Sequence, residues 1–139
     1  MENKRECMTG IELDTTKEPA LRVILLPKDT NGAGTIFGGV ILSYIDIAGA
    51  VEARRHCNAL FVTVAMREVV FRQPVFVGDI VSFYTETKSI GTTSITVGVR
   101  VEAIRISGDE AGERIHVTEG EVVYVAMDRQ GNKLKIGKD

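Results

Sequence analysis

Apolar positions along this chain change their period from strand-like to helical and back. Ala20-Leu21-Arg22-Val23-Ile24-Leu25-Leu26 is a short branched run stopped by Pro27, which reads as a strand. Lys28 to Thr35 consists almost entirely of turn formers and predicts a loop. Residues 36–57 form the one long helical segment. Its apolar side chains, from Ile36 and Phe37 through Ile41 and Ile45 to Val51, go nearly all round the axis. A helix apolar on every side is ordinarily buried on every side. Polarity returns at the far end with Glu52, Arg54, Arg55 and His56, and basic residues there suit the negative end of the helix dipole.

The remainder is strand-like. Phe61 to Phe71 is rich in branched residues and ends at Gln73-Pro74; Val75-Phe76-Val77 then leads into the turn signal Gly78-Asp79. Ile80 to Ile90 follows, and Ser94 to Glu102 alternates cleanly, with Ile95, Val97, Val99 and Val101 on one face. That alternation is a half-buried antiparallel strand. Gly108 to Gly112 predicts a hairpin loop, and Val117 to Met127 a last strand closed by Asp128-Arg129-Gln130-Gly131. Helix and strands do not alternate, so a doubly wound parallel sheet is disfavoured. The expectation is an α+β domain in which a roughly five-stranded antiparallel sheet curls around one buried helix. A second copy of the chain would supply part of the wrapping. Residues 1–19 are expected as an N-terminal arm and residues 20–139 as the single domain.

Composition narrows the function classes. At 139 residues, with 44% hydrophobic and 26% charged, the chain is a globular domain able to hold a core without staples. Seventeen Lys and Arg against nineteen Asp and Glu leave a net charge of −2, which provides no field for nucleic acid or an anionic membrane. No secretory signal and no transmembrane run is expected. Cys7 and Cys57 have no framework spacing, so free thiols in a reducing cytoplasm are the better reading. His56 and His116 lie sixty positions apart, and no metal site is expected.

Two features carry chemistry. Gly32-Ala33-Gly34-Thr35-Ile36-Phe37-Gly38 has dinucleotide-like glycine spacing, but Gly32 stands five positions beyond Pro27 and antiparallel strands follow. A phosphate-binding turn needs a strand running straight into the first Gly and a βαβ unit around it. The sharper anomaly is Asp46, mid-helix between Ile45 and Ile47. Asp is poor in a helix interior and expensive to bury unpaired. It is either a structural Asp satisfied by a hydroxyl or a backbone N–H, or a functional carboxylate acting as base or nucleophile. Gly38 and Gly39 open the helix without side chains, leaving unpaired, partially positive N–H groups able to hold an oxyanion. Gly39 and Asp46 are seven residues apart, about 10 Å along one helix, so a shared small carbonyl would need them from two subunits.

These residues resemble a known family. Asp29-Thr30-Asn31, Ile36-Phe37-Gly38-Gly39, Asp46, Val62-Thr63-Val64-Ala65, Phe71, Pro74 and Val77-Gly78-Asp79 together look like the hotdog-fold acyl-CoA thioesterases, specifically the YciA-like group. The match runs from about Leu21 to Asp128, and its Asn31, Phe37-Gly38-Gly39 and Asp46 core is the specific part. The resemblance implies dimers with a continuous sheet, assembly into hexamers as trimers of dimers, and active sites at the dimer interface. It implies hydrolysis of an acyl-CoA to a free acid and CoA, with no cofactor beyond the CoA of the substrate. Asp46 would be the catalytic carboxylate, the amide near Gly39 would hold the thioester oxygen, and Asn31 would belong to the same catalytic group. Phe37, Gly38, Thr63 and Val64 would line the substrate site. The turn containing Gly91, Thr92, Thr93 and Ser94 would lie near the CoA arm, although a solvated hairpin is an equal reading. Arg72, Lys88 and Arg100 are candidates for the CoA phosphates, although scattered cations are usually just solvated surface. Two alternatives differ in class: a noncatalytic acyl-CoA sensor, and a hotdog-class hydratase or dehydratase, which would want a catalytic His near Asp46.

Overall fold

The computed structural model describes residues 18–136, so the arm expected at 1–19 lies outside the described residues except for Glu18 and Pro19. One helix, α1 (Gly38–Arg54), packs on a five-stranded antiparallel sheet formed by β1 (Leu21–Ile24), β2 (Leu60–Arg67), β3 (Ile80–Ile90), β4 (Ser94–Ile104) and β5 (Arg114–Met127). The spatial order is β1-β3-β4-β5-β2. The expected α+β architecture is therefore present, and the strand following the helix crosses over to become the sheet edge beyond β5.

Alternation places the core. Val81 and Phe83 on β3, Val97, Val99 and Val101 on β4, and Val122 and Tyr124 on β5 are all buried, facing Ile41, Ile45 and Ala48 of α1. Each such aliphatic side chain, fully buried, contributes roughly 1.5–3 kcal/mol. α1 is covered on one side only. Phe37, Ile47 and Val51 remain 53%, 51% and 45% exposed, and along β2 so do Leu60, Val62 and Val64, at 52%, 44% and 56%. The expectation of a helix buried all round does not hold within one chain: the sheet covers the Ile41–Ile45–Ala48 side, while Ile47 and Val51 on the helix and Leu60, Val62 and Val64 on the β2 edge stay exposed.

Element ends differ from the sequence reading for identifiable reasons. α1 starts at Gly38 and not at 36, because the Ile36 N–H donates to Val75 O (2.9 Å) and the Phe37 N–H to Asp29 O (2.9 Å). β2 stops at Arg67 and not at 71. Glu68 takes a left-handed conformation (φ 60°) and Val69 packs onto Gly120, where a Cβ would stand 2.5 Å from the valine methyl. The chain then leaves the edge, tied by Thr118 Oγ1 to Val70 O (2.6 Å) and by the Arg72 N–H to Val117 O (2.8 Å). β4 runs on to Ile104 and β5 begins at Arg114, so the last hairpin is longer than its alternation showed.

Candidate active site

Asp46 sits half-buried at the border between the sheet-facing side of α1 and its uncovered apolar side. Thr63 of β2 donates its hydroxyl proton to Asp46 Oδ1 at 2.6 Å. Register explains the meeting: Thr63 pairs with Tyr124 and Tyr124 with Ile95, so β2, β5 and β4 place one row of side chains beneath Asp46. Immediately after Thr63 the pairing slips, leaving Val64 as the extra residue of a bulge. Bulges re-aim side chains at sheet edges, and Val64 is exposed at the rim.

Tyr124, which the sequence reading did not single out, completes the seat. Its hydroxyl donates to the Asp46 carbonyl at 2.5 Å. Burial first, and then the negative charge of Asp46, push its phenol far above the usual tyrosine range. It is therefore a neutral donor at any working pH. The only sequence signal for it was Gly49, an unexplained glycine inside a helix, which marks a close approach.

The helix start forms the second group. Helix N-terminal N–H groups have no intrahelical acceptor, and with Phe37 already bonded to Asp29, those of Gly38 and Gly39 lead the free set. Nothing lies within 4 Å of a Cβ built on Gly39, so approach is open. At Gly38 the Phe71 ring lies 3.5 Å from such an atom. Beside it is a cleft of about 300 Å³ walled by Ile36, Ile41, Phe71, Pro74 and Val75. Asn31 shapes the entering loop: its side-chain oxygen accepts the N–H groups of Ala33 (2.8 Å) and Thr35 (3.2 Å), and its amide donates to Thr35 Oγ1 (2.9 Å). Asp29 caps the turn before it. The Leu26 N–H, and then the neighbouring Lys28, hold its carboxyl below the usual carboxylate range.

The third group is the turn Gly91–Ser94. It ends at Ser94, immediately before Ile95, at the same end of the sheet as Tyr124 and Asp46. Its backbone is tightly committed: Gly91 N–H donates to Ser94 O, Ala126 N–H to Thr93 O and Ile136 N–H to Thr92 O, each at 2.8–2.9 Å. The hydroxyl of Thr92 is on an exposed residue, while Thr93 and Ser94 are half-buried. Thus one chain brings Asp46, Thr63 and the turn to one end of the sheet, and leaves Gly39 about two turns earlier on α1, with Asn31, Phe37 and Gly38 before it.

The three suggested phosphate cations are each beside an acid: Lys88 beside Glu86 (3.3 Å), Arg72 beside Glu119 (4.0 Å) and Arg100 against Glu102. A larger hollow of about 680 Å³, bordered by Glu86, Lys88, Arg100, Glu119 and Glu121, includes neither Asp46 nor Gly39. Among the described residues no group of three or more His, Cys, Asp or Glu could hold a metal ion, and no helix is long and apolar enough to cross a membrane.

The sequence model of the thioesterase superfamily matches residues 33–106, from the glycine loop through α1 to the end of β4. The chain belongs to this superfamily. Among its relatives is the acyl-CoA thioester hydrolase YciA of Salmonella typhimurium, 37% identical over 124 residues that cover 89% of this chain and 93% of that one. Solved structures agree. A hexameric hotdog fold thioesterase of Campylobacter jejuni is 46% identical, with a TM-score of 0.83 over 88% of this chain and 92% of that one. A hexameric thioesterase from Yersinia pestis is 36% identical, with a TM-score of 0.82 over 88% and 98%. The helix and curled sheet described above are therefore the hotdog fold of the superfamily, as the resemblance implied.

Proposed function

We propose that this chain is an acyl-CoA thioester hydrolase that works as a homodimer, assembled further into a hexamer. The observation that carries the reading is the seat of Asp46: a carboxylate held by the Thr63 hydroxyl, on a helix turn that Tyr124 fastens through the Asp46 backbone carbonyl, beside apolar residues of α1 and β2 that stay exposed. Docking two copies through that surface extends the sheet and buries the exposed apolar residues. It also lets the helix start of one subunit face Asp46 of the other. Within one chain the two are about 10 Å apart along the axis. The naming of its relatives as acyl-CoA thioester hydrolases and hexameric thioesterases supports both the activity and the assembly.

In this reading Asp46 takes a proton from water as the water attacks the thioester carbonyl. The N–H of Gly39, with Gly38 beside it, holds the oxygen as it gains negative charge. Collapse of the tetrahedral intermediate expels the CoA thiolate, which takes up a proton, and leaves a free acid. Asn31 sets the loop that delivers Phe37 and Gly38; Thr63 orients the base; Val64 and Phe37 line the acyl side; and Gly91, Thr92, Thr93 and Ser94 flank the CoA arm. CoA enters as part of the substrate, and the chemistry needs no other cofactor. The hydratase reading is disfavoured by His56, whose Nε2 bonds Thr87 Oγ1 (2.8 Å) over β3 at the far end of α1. Cytoplasmic residence fits the free thiol of Cys57.

The test is a panel of CoA esters with free-thiol detection, run on the native protein and on Asp46→Asn. The variant should keep its oligomer and its affinity for CoA esters while kcat falls by about 10²–10⁴-fold. Near-normal turnover in an assembled variant would return Asp46 to a structural role.

A further inference from the structure

A buried ion pair lies outside the site and takes no part in the proposed chemistry. Arg105, at the end of β4, and Asp79, just before β3, have side chains only 4% and 3% exposed. For stability alone such a pair is a poor choice, because desolvation offsets most of the attraction and a well-packed apolar pair does as well. What an apolar pair lacks is directed hydrogen bonds, and here both guanidinium Nη groups and the Asp79 carboxylate bond within one strap, residues 74–79. Arg105 donates through Nη1 to Asp79 Oδ2 (2.5 Å) and through Nη2 to Pro74 O (3.0 Å), and its guanidinium covers the Phe76 ring at 4.6 Å. Asp79 Oδ2 in turn accepts the Phe76 N–H at 2.9 Å. A further Arg105 contact, Nε to Glu110 (3.3 Å), leads outward to the hairpin loop.

The strap passes this rigidity to the helix start. The Ile36 N–H donates to Val75 O at 2.9 Å, and Thr35 forms an antiparallel bridge with Phe76. Ile36 stands two residues before Gly38. Gly38 and Gly39 have no side chains with which to fix their own orientation, and the space around Gly39 is empty. Their N–H directions are therefore set by the segment that feeds them.

We propose that the Arg105–Asp79 pair is a positioning device for the helix start: through the 74–79 strap it sets where the Gly38 and Gly39 N–H groups point. Its catalytic consequence rests on the reading that those groups hold the thioester oxygen; its structural consequence does not.

The test uses the full-length protein with the paired change Asp79→Leu and Arg105→Met, and separately Arg105→Lys, which keeps the buried charge but loses the fork. Three quantities are measured: Tm, amide hydrogen exchange at Ile36, and kcat against KM for an acyl-CoA. A folded variant should keep a Tm near that of the native protein, exchange faster at Ile36, and lose about 10–100-fold in kcat with little change in KM, the scale expected for roughly 1 Å of misplacement. Unchanged exchange and unchanged kcat in either folded variant would overturn the proposal. If neither variant folds, the pair is a stability element and the proposal fails. If the native protein hydrolyses no acyl-CoA, the reading of the site fails, and exchange at Ile36 still decides whether the pair holds the helix start.

Discussion

The Tyr124 hydroxyl occupies the space that Gly49 leaves free. A Cβ built on Gly49 would stand 2.3 Å from that oxygen, while the hydroxyl donates to the Asp46 carbonyl at 2.5 Å. One turn of α1 is thus fastened to β5 through a gap that only glycine provides. Overpacking a tight contact costs typically about 1–3 kcal/mol, so Gly49→Ala should lower Tm and, by tilting Asp46, reduce kcat. Adding Tyr124→Phe should restore part of the Tm, because the clashing atom is the hydroxyl. Thermal denaturation of both variants checks this, and additive losses would contradict it.

Among the described residues, Thr63 supplies the one side-chain hydroxyl on Asp46 Oδ1. A hydrogen bond to a charged group is worth about 1.5–3 kcal/mol. Thr63→Val keeps the shape and removes the donor, so kcat should fall roughly tenfold or more, with KM less affected. Steady-state kinetics with one acyl-CoA measures the split; a loss confined to KM would assign Thr63 to substrate contact alone.

Glu52 is buried near the end of α1. Burial pushes its carboxyl up, but donors from Thr87 (2.7 Å) and Thr85 (3.1 Å), with the charge of Arg55, outweigh it and hold the pKa below the ordinary value of 4.5. A depressed folded pKa contributes stability that is present above the unfolded value and lost as pH falls through the folded one. Acid destabilisation should therefore set in below about pH 4.5. Glu52→Gln should lower Tm at pH 7 and flatten the acid limb. Tm measured from pH 7 to pH 3 tests both, and parallel profiles would show that Glu52 does not contribute.

The β2 edge with Leu60, Val62 and Val64 is expected to be the seam between subunits. Val62→Lys places a charge in it without touching the buried core. Sedimentation at micromolar concentration should show the native protein as a dimer or a multiple of it, and the variant dissociated and inactive. An active, folded monomer of either would contradict the shared site.

If the turn at 91–94 flanks the CoA arm, Thr92→Glu should raise KM with little loss of kcat, the signature of lost uniform binding. The exposed position of Thr92 makes a folding defect a poor explanation for such a change. An unchanged KM would return the turn to a solvated hairpin held by the C-terminal segment.

Much of the candidate site was legible because its signals are local. Asp46 stood out as a carboxylate inside an apolar helix, and the helical rise alone separated it from Gly39. Gly38-Gly39 announced an open helix start. Tyr124 and Arg105 were invisible, since a Tyr in an alternating strand and an Arg at a strand end look like ordinary core and surface. Their roles come from partners 78 and 26 positions away in the chain.

By itself the sequence determined the one-helix, five-strand order, the antiparallel sheet, and which carboxylate is out of place. Those rest on periodicity, turn chemistry and the cost of a charge among apolar neighbours, all read within a few residues. Only the tertiary structure decided that β2 lies beyond β5, that its bulge follows Thr63, and that the strap at 74–79 is gripped by a buried ion pair. It also showed that α1 keeps one apolar side uncovered within its own chain. Strand order, register and long-range pairing follow from packing across the whole sheet, where each side chain's partner is selected by shape and hydrogen bonding in three dimensions.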